Sequence, residues 1–279
     1  MSARRTLLFV PGTRPERFAK ALAAGADMVC VDLEDAVPPD SKADARAAAV
    51  PWLAEPSTGP ERVVRINSLK TLDGLKDLTA LAEASPVSGL VFLPKVDGAD
   101  EPAIADAVLT EAGSGAGLIA LIESVDGLEN VHQIASAAPR LQMLMFGAVD
   151  LAAELGCDLA DEPLLYARSR IVHAARRAGV NAMDVPAIDF RDMDALEKEA
   201  RRAMSMGFDG KAVLHPDNVA VVNSVFSPTA EEAAFAKRVV ELFEASETGL
   251  VVLDGKLIER PVIRKMEQVL ASAAAAGLK

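Results

Sequence analysis

Two acids and one arginine stand where chemistry could begin. Glu123 closes the apolar run Leu118-Ile119-Ala120-Leu121-Ile122, and Asp150 follows Met143-Leu144-Met145-Phe146 with a Gly147-Ala148-Val149 step between. Both runs read as strands, so two carboxylates sit at consecutive strand ends and can converge on one ion. Two hard oxygen ligands, with water and substrate oxygens completing an octahedron, suit Mg²⁺; zinc would want histidine or cysteine. The chain has only 3 histidines, and His132 and His173 lie inside helical patterns.

Arg65 follows Val63-Val64 and offers a planar fork of donors suited to a carboxylate; its alternative use is a salt bridge to Glu34 or Asp35. The two-residue strand period places Asp32 with Glu34 on one face, and Arg65 with Asn67, so each pair can point inward at one mouth. Asp32 and Glu34 are candidate catalytic groups and Lys95 a candidate substrate-binding group, although Asp32 and Lys95 taken singly fit a buried ion pair as well. Arg14, beside Gly12 and just before a helix start, could hold a phosphate. Neither a Gly-x-Gly-x-x-Gly loop nor a Walker loop is present to suggest a nucleotide site.

Positioning such residues takes a regular scaffold. Short apolar runs alternate with helical patterns, giving expected strands at Thr6–Pro11, Met28–Glu34, Arg62–Asn67, Gly89–Lys95, Gly117–Glu123, Leu141–Gly147, Asn181–Pro186 and Lys211–His215. The pattern fits a (β/α)8 TIM barrel, whose active sites gather at the C-terminal strand ends, with an open doubly wound sheet as the structural alternative. Polar groups do gather there: Arg14, Asp32 to Asp35, Arg65 to Asn67, Lys95, Glu123-Ser124, Asp150, Asp184 and His215.

The expected barrel covers residues 1–226. Residues 227–279 carry a strong helix from Thr229 to about Ser246, two apolar runs around an Asp-Gly-Lys turn, and a last helix from near Pro261. They are expected to form a C-terminal helical extension packing on the barrel or on a neighbouring subunit.

Composition fits one soluble α/β protein: 279 residues, 51% hydrophobic and 25% charged. A net charge of -12 disfavours nucleic acid. No apolar run is long enough to span a bilayer, the first twenty residues lack a signal-peptide core, and 2 cysteines make no disulfide framework, so a cytoplasmic protein is expected.

Taken together, Leu8-Phe9-Val10-Pro11-Gly12, Asp32-Leu33-Glu34-Asp35-Ala36-Val37, Val64-Arg65-Ile66-Asn67, Leu93-Pro94-Lys95, Ile122-Glu123-Ser124, Gly147-Ala148-Val149-Asp150, Gly207-Phe208-Asp209-Gly210-Lys211 and Gly255-Lys256-Leu257-Ile258-Glu259 resemble the citrate lyase beta-subunit-like proteins of the HpcH/HpaI aldolase superfamily, relatives of malyl-CoA and citramalyl-CoA lyases. The resemblance spans nearly the whole chain. It implies a trimer or hexamer, Mg²⁺ on Glu123 and Asp150, the substrate carboxylate on Arg65, and coenzyme A near Arg14 and Lys42. It also implies a proton-transfer acid at Glu259, where the family usually has an aspartate that reaches a neighbour's site. Val149 replaces the family's usual glutamate. The implied reaction is Mg²⁺-dependent cleavage of a citramalyl-CoA or malyl-CoA type ester into acetyl-CoA and a 2-oxo acid. Cleavage of a citryl-acyl carrier protein, thioester hydrolysis, and a non-catalytic barrel that binds 2-oxo acids are the alternatives.

Overall fold

In the computed structural model, which describes residues 3–246, 251–253, 256–275 and 277, eight parallel strands close on themselves in sequence order. They are β1 (Thr6–Pro11), β2 (Met28–Asp32), β3 (Glu61–Arg65), β4 (Leu90–Leu93), β5 (Gly117–Ile122), β6 (Leu141–Phe146), β7 (Asn181–Asp184) and β8 (Gly210–Val213), the last pairing with β1. Helices follow each strand: α1 (Phe18–Leu22), α2 (Lys42–Ala54), α3 (Leu72–Ala84), α4 (Asp100–Glu111), α5 (Val125–Glu129) with α6 (Val131–Ile134), α7 (Ala148–Leu155) with α8 (Asp161–Ala178), α9 (Met193–Met206) and α10 (Asn218–Val225). The (β/α)8 expectation is met, and the open-sheet alternative falls with the closure of β8 on β1.

Alternate strand residues fill the barrel: Leu7, Met28, Cys30, Val63, Leu90, Phe92, Ile119, Leu121, Met143, Met145, Met183 and Ala212 are buried together, with Phe9 packed against them. Two residues further along the same inward stripes come Asp32, Arg65, Glu123 and Gly147, so strand parity delivers them to the mouth. At the other end, the Arg4 guanidinium reaches Glu61 (2.8 and 2.9 Å), Asn181 (3.3 Å) and Gln142 (2.5 Å). These partners start β3, β6 and β7, which are not all neighbours, so one side chain ties together the lower rim. Gln142 can join because the β5–β6 register skips it, pairing Leu118 with Leu141 and Ile119 with Met143, the extra residue of a bulge.

Several strands end one to two residues earlier than expected, because carboxylates at the mouth capture backbone N–H groups that the ladder would have used. Asp32 accepts from Glu34 N at 2.9 Å and Ala36 N at 3.1 Å, Asp77 from Asn67 N at 2.9 Å, and Glu123 from Lys95 N at 2.9 Å. The polar residues that would carry chemistry also end the regular structure.

One compact unit covers Arg4–Val222 and a second begins at Asn223, within α10. The second unit contains α11 (Ala230–Glu244), opened by a reciprocal capping box between Thr229 and Glu232. An antiparallel pair follows, β9 (Val251–Leu253) with β10 (Lys256–Ile258), and then α12 (Arg260–Ala275). Val239, Ile258 and Ile263 form its small core with Phe243, Val262 and Met266 against them. Asp254 and Gly255 of the expected turn lie outside the described residues.

Candidate active site

The register places Asp32 opposite Arg65 on neighbouring strands. Arg65 donates from Nε to Asp32 Oδ1 at 2.7 Å and from Nη2 to Oδ2 at 2.6 Å, a bidentate pair. Its guanidinium lies 5.2 Å over the Phe9 ring at the top of the barrel core. Burial alone would lower the arginine's proton affinity, but the Asp32 hydrogen bonds and the fields of Asp32 and Glu34 more than reverse this and raise it. The outer edge of the fork, led by Nη1, pairs with Glu34 Oε2 at 3.1 Å and Asp35 at 3.4 Å.

Asp32 is 3% exposed and both of its oxygens serve Arg65 and the loop amides. This gives Asp32 a supporting position instead of the expected catalytic one, since no oxygen is left to meet a substrate. Asn67, expected to point inward beside Arg65, turns away: its amide donates to Asp77 at 2.7 Å and its Oδ1 accepts from Lys42 Nζ at 2.6 Å. Lys42 Nζ also donates to Leu33 O (2.9 Å) and Glu34 O (2.7 Å). An ammonium has three protons and all three are engaged, so Lys42 staples the loop after β2 and keeps none for a coenzyme A phosphate. Arg14 remains available: its side chain is 56% exposed and its partner is an equally exposed Glu16 at 3.6 Å.

Glu34 is buried with Oε2 lacking any hydrogen bond. Burial pushes its carboxyl up to about 7, against the pull of Arg65 and Lys95 and with the push of Asp35. Lys95 Nζ stands 3.5 Å from Glu34, and its proton affinity, reduced by burial, is raised overall by the fields of Glu34, Asp150, Glu123 and Asp35.

Glu123 is 5% exposed. Burial first, and then Asp150 and Glu34, push its carboxyl up to about 8. Asp150, in the first turn of α7, is the charge that raises it most, so two acids lie together in a space where a divalent cation would neutralise both. Gly147 keeps that space open, since a Cβ there would come within 2.4 Å of Glu123 Cβ and 3.0 Å of Oε2. Two carboxylates, one buried, with room beside them, are the donor set that Mg²⁺ takes from a protein when water and substrate supply the rest. Next to Asp150, the exposed Val149 lines a cavity of about 270 Å³ in which Leu159, Pro186 and Ile188 stand among the charged Asp161, Arg168, Asp184, Asp189, Glu199 and Arg202.

Asp184, counted by sequence among the mouth residues, faces outward into the layer under α8 and α9. It pairs with Arg168 and with Lys211 (2.9 Å), a fully buried lysine that also bonds Val185 O at 2.7 Å and Glu199 at 3.2 Å. This motif stabilises the wall and is not part of the site. Glu259 belongs to the second unit, where it is exposed and its carbonyl accepts the first amides of α12 from Val262 and Ile263. Sequence reasoning missed Lys70, Asp97 and Asp77, which support the mouth from behind; no local pattern marks them, because their partners lie in other loops.

The HpcH/HpaI aldolase/citrate lyase family matches residues 5–216. The chain belongs to this family. An L-malyl-CoA/beta-methylmalyl-CoA lyase of Cereibacter sphaeroides is 33% identical over 96% of this chain and 94% of its own length. A (3S)-malyl-CoA thioesterase of Cereibacter sphaeroides is 36% identical over 97% and 95%. Among solved structures, protein CitE of Mycobacterium tuberculosis, in complex with magnesium, acetoacetate and coenzyme A, superposes with a TM-score of 0.82 at 34% identity, covering 98% of both chains.

Proposed function

We propose that this protein is a Mg²⁺-dependent carbon–carbon lyase that cleaves a 3-hydroxy-dicarboxylic acyl-CoA of the malyl or citramalyl type into acetyl-CoA and a 2-oxo acid. The observation that carries the reading is the juxtaposition, at one barrel mouth, of a guanidinium fork held by Asp32 and the buried Glu123 beside the exposed Asp150.

Glu123 and Asp150 would hold the ion. Bound there, Mg²⁺ supplies Lewis acidity, lowering the energy of negative charge on the substrate's hydroxyl and carboxylate oxygens. Arg65 presents the outer edge of its guanidinium to a substrate carboxylate, in the direction where Glu34 and Asp35 now stand. Asp32 keeps the fork aimed by occupying its other edge. Glu34, buried between Arg65 and Lys95, is placed to take the hydroxyl proton, and a carboxyl near 7 suits exchange at neutral pH. As the proton leaves, the hydroxyl carbon becomes a carbonyl and the electron pair of the C–C bond passes to the thioester's α-carbon. That enolate then takes up one proton. Glu259 is assigned this last proton on the sequence resemblance, and Lys95 and Arg14 are assigned to anionic groups of the thioester and its coenzyme A.

A thioesterase is the second reading, favoured by the 36% identity to a malyl-CoA thioesterase. Incubation with Mg²⁺ and malyl-CoA, citramalyl-CoA and related esters, following 2-oxo acid and free thiol separately, decides between them. Oxo acid without thiol is the expected result; thiol without oxo acid selects the second reading, and neither product overturns both. We also place the protein in the cytoplasm as a homo-oligomer, a trimer or hexamer, which light scattering on the purified protein tests.

A further inference from the structure

Lys95 holds a left-handed backbone conformation, with φ at 53°. A lysine with a positive φ is uncommon, and persists where its surroundings impose it. The surroundings here are a clamp of charged groups on three loops. Lys70, between β3 and α3, donates from Nζ to Lys95 O at 3.1 Å, pairs with Asp97, and lies 3.1 Å from Glu101. Asp97 in turn accepts from Ser124 Oγ, and its carbonyl accepts from Asn130 Nδ2 at 2.8 Å. Glu101 Oε2 accepts from the amides of Asp97 (2.9 Å) and Gly98 (2.8 Å).

What the clamp achieves is a backbone direction. With Lys95 turned in this way its N–H donates to Glu123 Oε1 at 2.9 Å. One oxygen of Glu123 is thereby held by the main chain, while Oε2 lies on the Gly147 side. If the chain around Lys95 relaxed and carried the Pro94–Lys95 peptide with it, this N–H would leave the line, and the Glu123 carboxylate would be free to rotate.

We infer that Lys70 is a positioning residue for the candidate metal centre: by holding Lys95 O and Asp97 it keeps the Lys95 amide on Glu123 Oε1 and so sets which oxygen of Glu123 is presented to a cation. The inference rests on the reading of Glu123 and Asp150 as the Mg²⁺ pair. Lys70 touches neither acid, and its side chain is 47% exposed, so its own ion pairs add little to the stability of the fold.

The test is Lys70→Met beside Lys70→Arg and Glu123→Ala, with Mg²⁺ binding measured by calorimetry on the full chain in the absence of any thioester, and Mn²⁺ binding followed in parallel by electron paramagnetic resonance. Lys70→Met is expected to weaken binding roughly tenfold, as loss of an outer support of a ligand does. Lys70→Arg, which can still donate to both acceptors, is expected to recover most of it, and the metal-free melting temperatures of the two variants are expected to match that of the unchanged protein. Unaltered Mg²⁺ affinity in Lys70→Met, while Glu123→Ala binds none, overturns the positioning role alone. A loss that only follows a fall in melting temperature, or is equally deep in Lys70→Arg, overturns it too. If Glu123→Ala binds Mg²⁺ as well as the unchanged protein does, the metal assignment itself is refuted.

Discussion

Replacing Glu123 by glutamine should remove a pH dependence of stability from the metal-free protein. The Glu123 carboxyl is raised from an ordinary value of 4.5 to about 8, by burial first and by Asp150 and Glu34 second. A carboxyl raised in the folded state binds its proton more tightly than in the unfolded chain. The stability it contributes is therefore full below 4.5 and is lost as the pH climbs through about 8. At about 1.4 kcal/mol per pH unit, a rise of this size sets a ceiling of about 5 kcal/mol on that loss. Glutamine keeps the shape of the protonated acid and cannot ionise. Glu123→Gln should thus match the unchanged protein near pH 4 and exceed it by a few kcal/mol near pH 8.5. Mg²⁺ narrows the gap: at a hundred times Kd it should add about 2.7 kcal/mol to the unchanged protein and nothing to the variant. Urea unfolding at several pH values, with chelator and then with Mg²⁺, measures both effects. A variant less stable than the unchanged protein at pH 8.5 in chelator, or one that gains equally from Mg²⁺, would refute the account of the acid pair.

Two further outcomes follow from the same geometry. Arg65→Lys removes a planar fork and leaves Asp32 buried with one point charge; kcat/KM should fall about 100-fold, with stability falling by a few kcal/mol, as steady-state kinetics and denaturation will register. Gly147→Ala drives a methyl group to within 2.4 Å of Glu123 Cβ, so Mg²⁺ affinity should drop more than tenfold by calorimetry while the circular dichroism of the barrel is retained.

The architecture was legible because strand starts are set by local patterns: the apolar runs at Thr6, Met28, Gly117, Leu141 and Asn181 begin the strands they were expected to begin. Strand ends were less so, since Asp32, Asp77 and Glu123 pull the chain out of the ladder through hydrogen bonds that only the folded chain defines. The same limit governs the site. Parity along β2, β3 and β5 was enough to bring Asp32, Arg65 and Glu123 to one mouth, and Asp150 joins them from the strand next door. Parity could not say that Asn67 would turn toward Lys42 and Asp77, or that Lys42 would use all its donors on the loop it anchors. Asp184 misled for a related reason. It ends β7 on the outward phase, a difference of one residue that exchanges the mouth for the layer beneath the helices.

The guanidinium of Arg4, laced to Glu61, Gln142 and Asn181, ties off the lower rim of a barrel that its own side chains fill, so nothing passes through it from below. Everything that enters must leave by the way it came. Whichever fragment lies nearer the axis is then the last one out after cleavage, and the first one in when the reaction runs toward condensation.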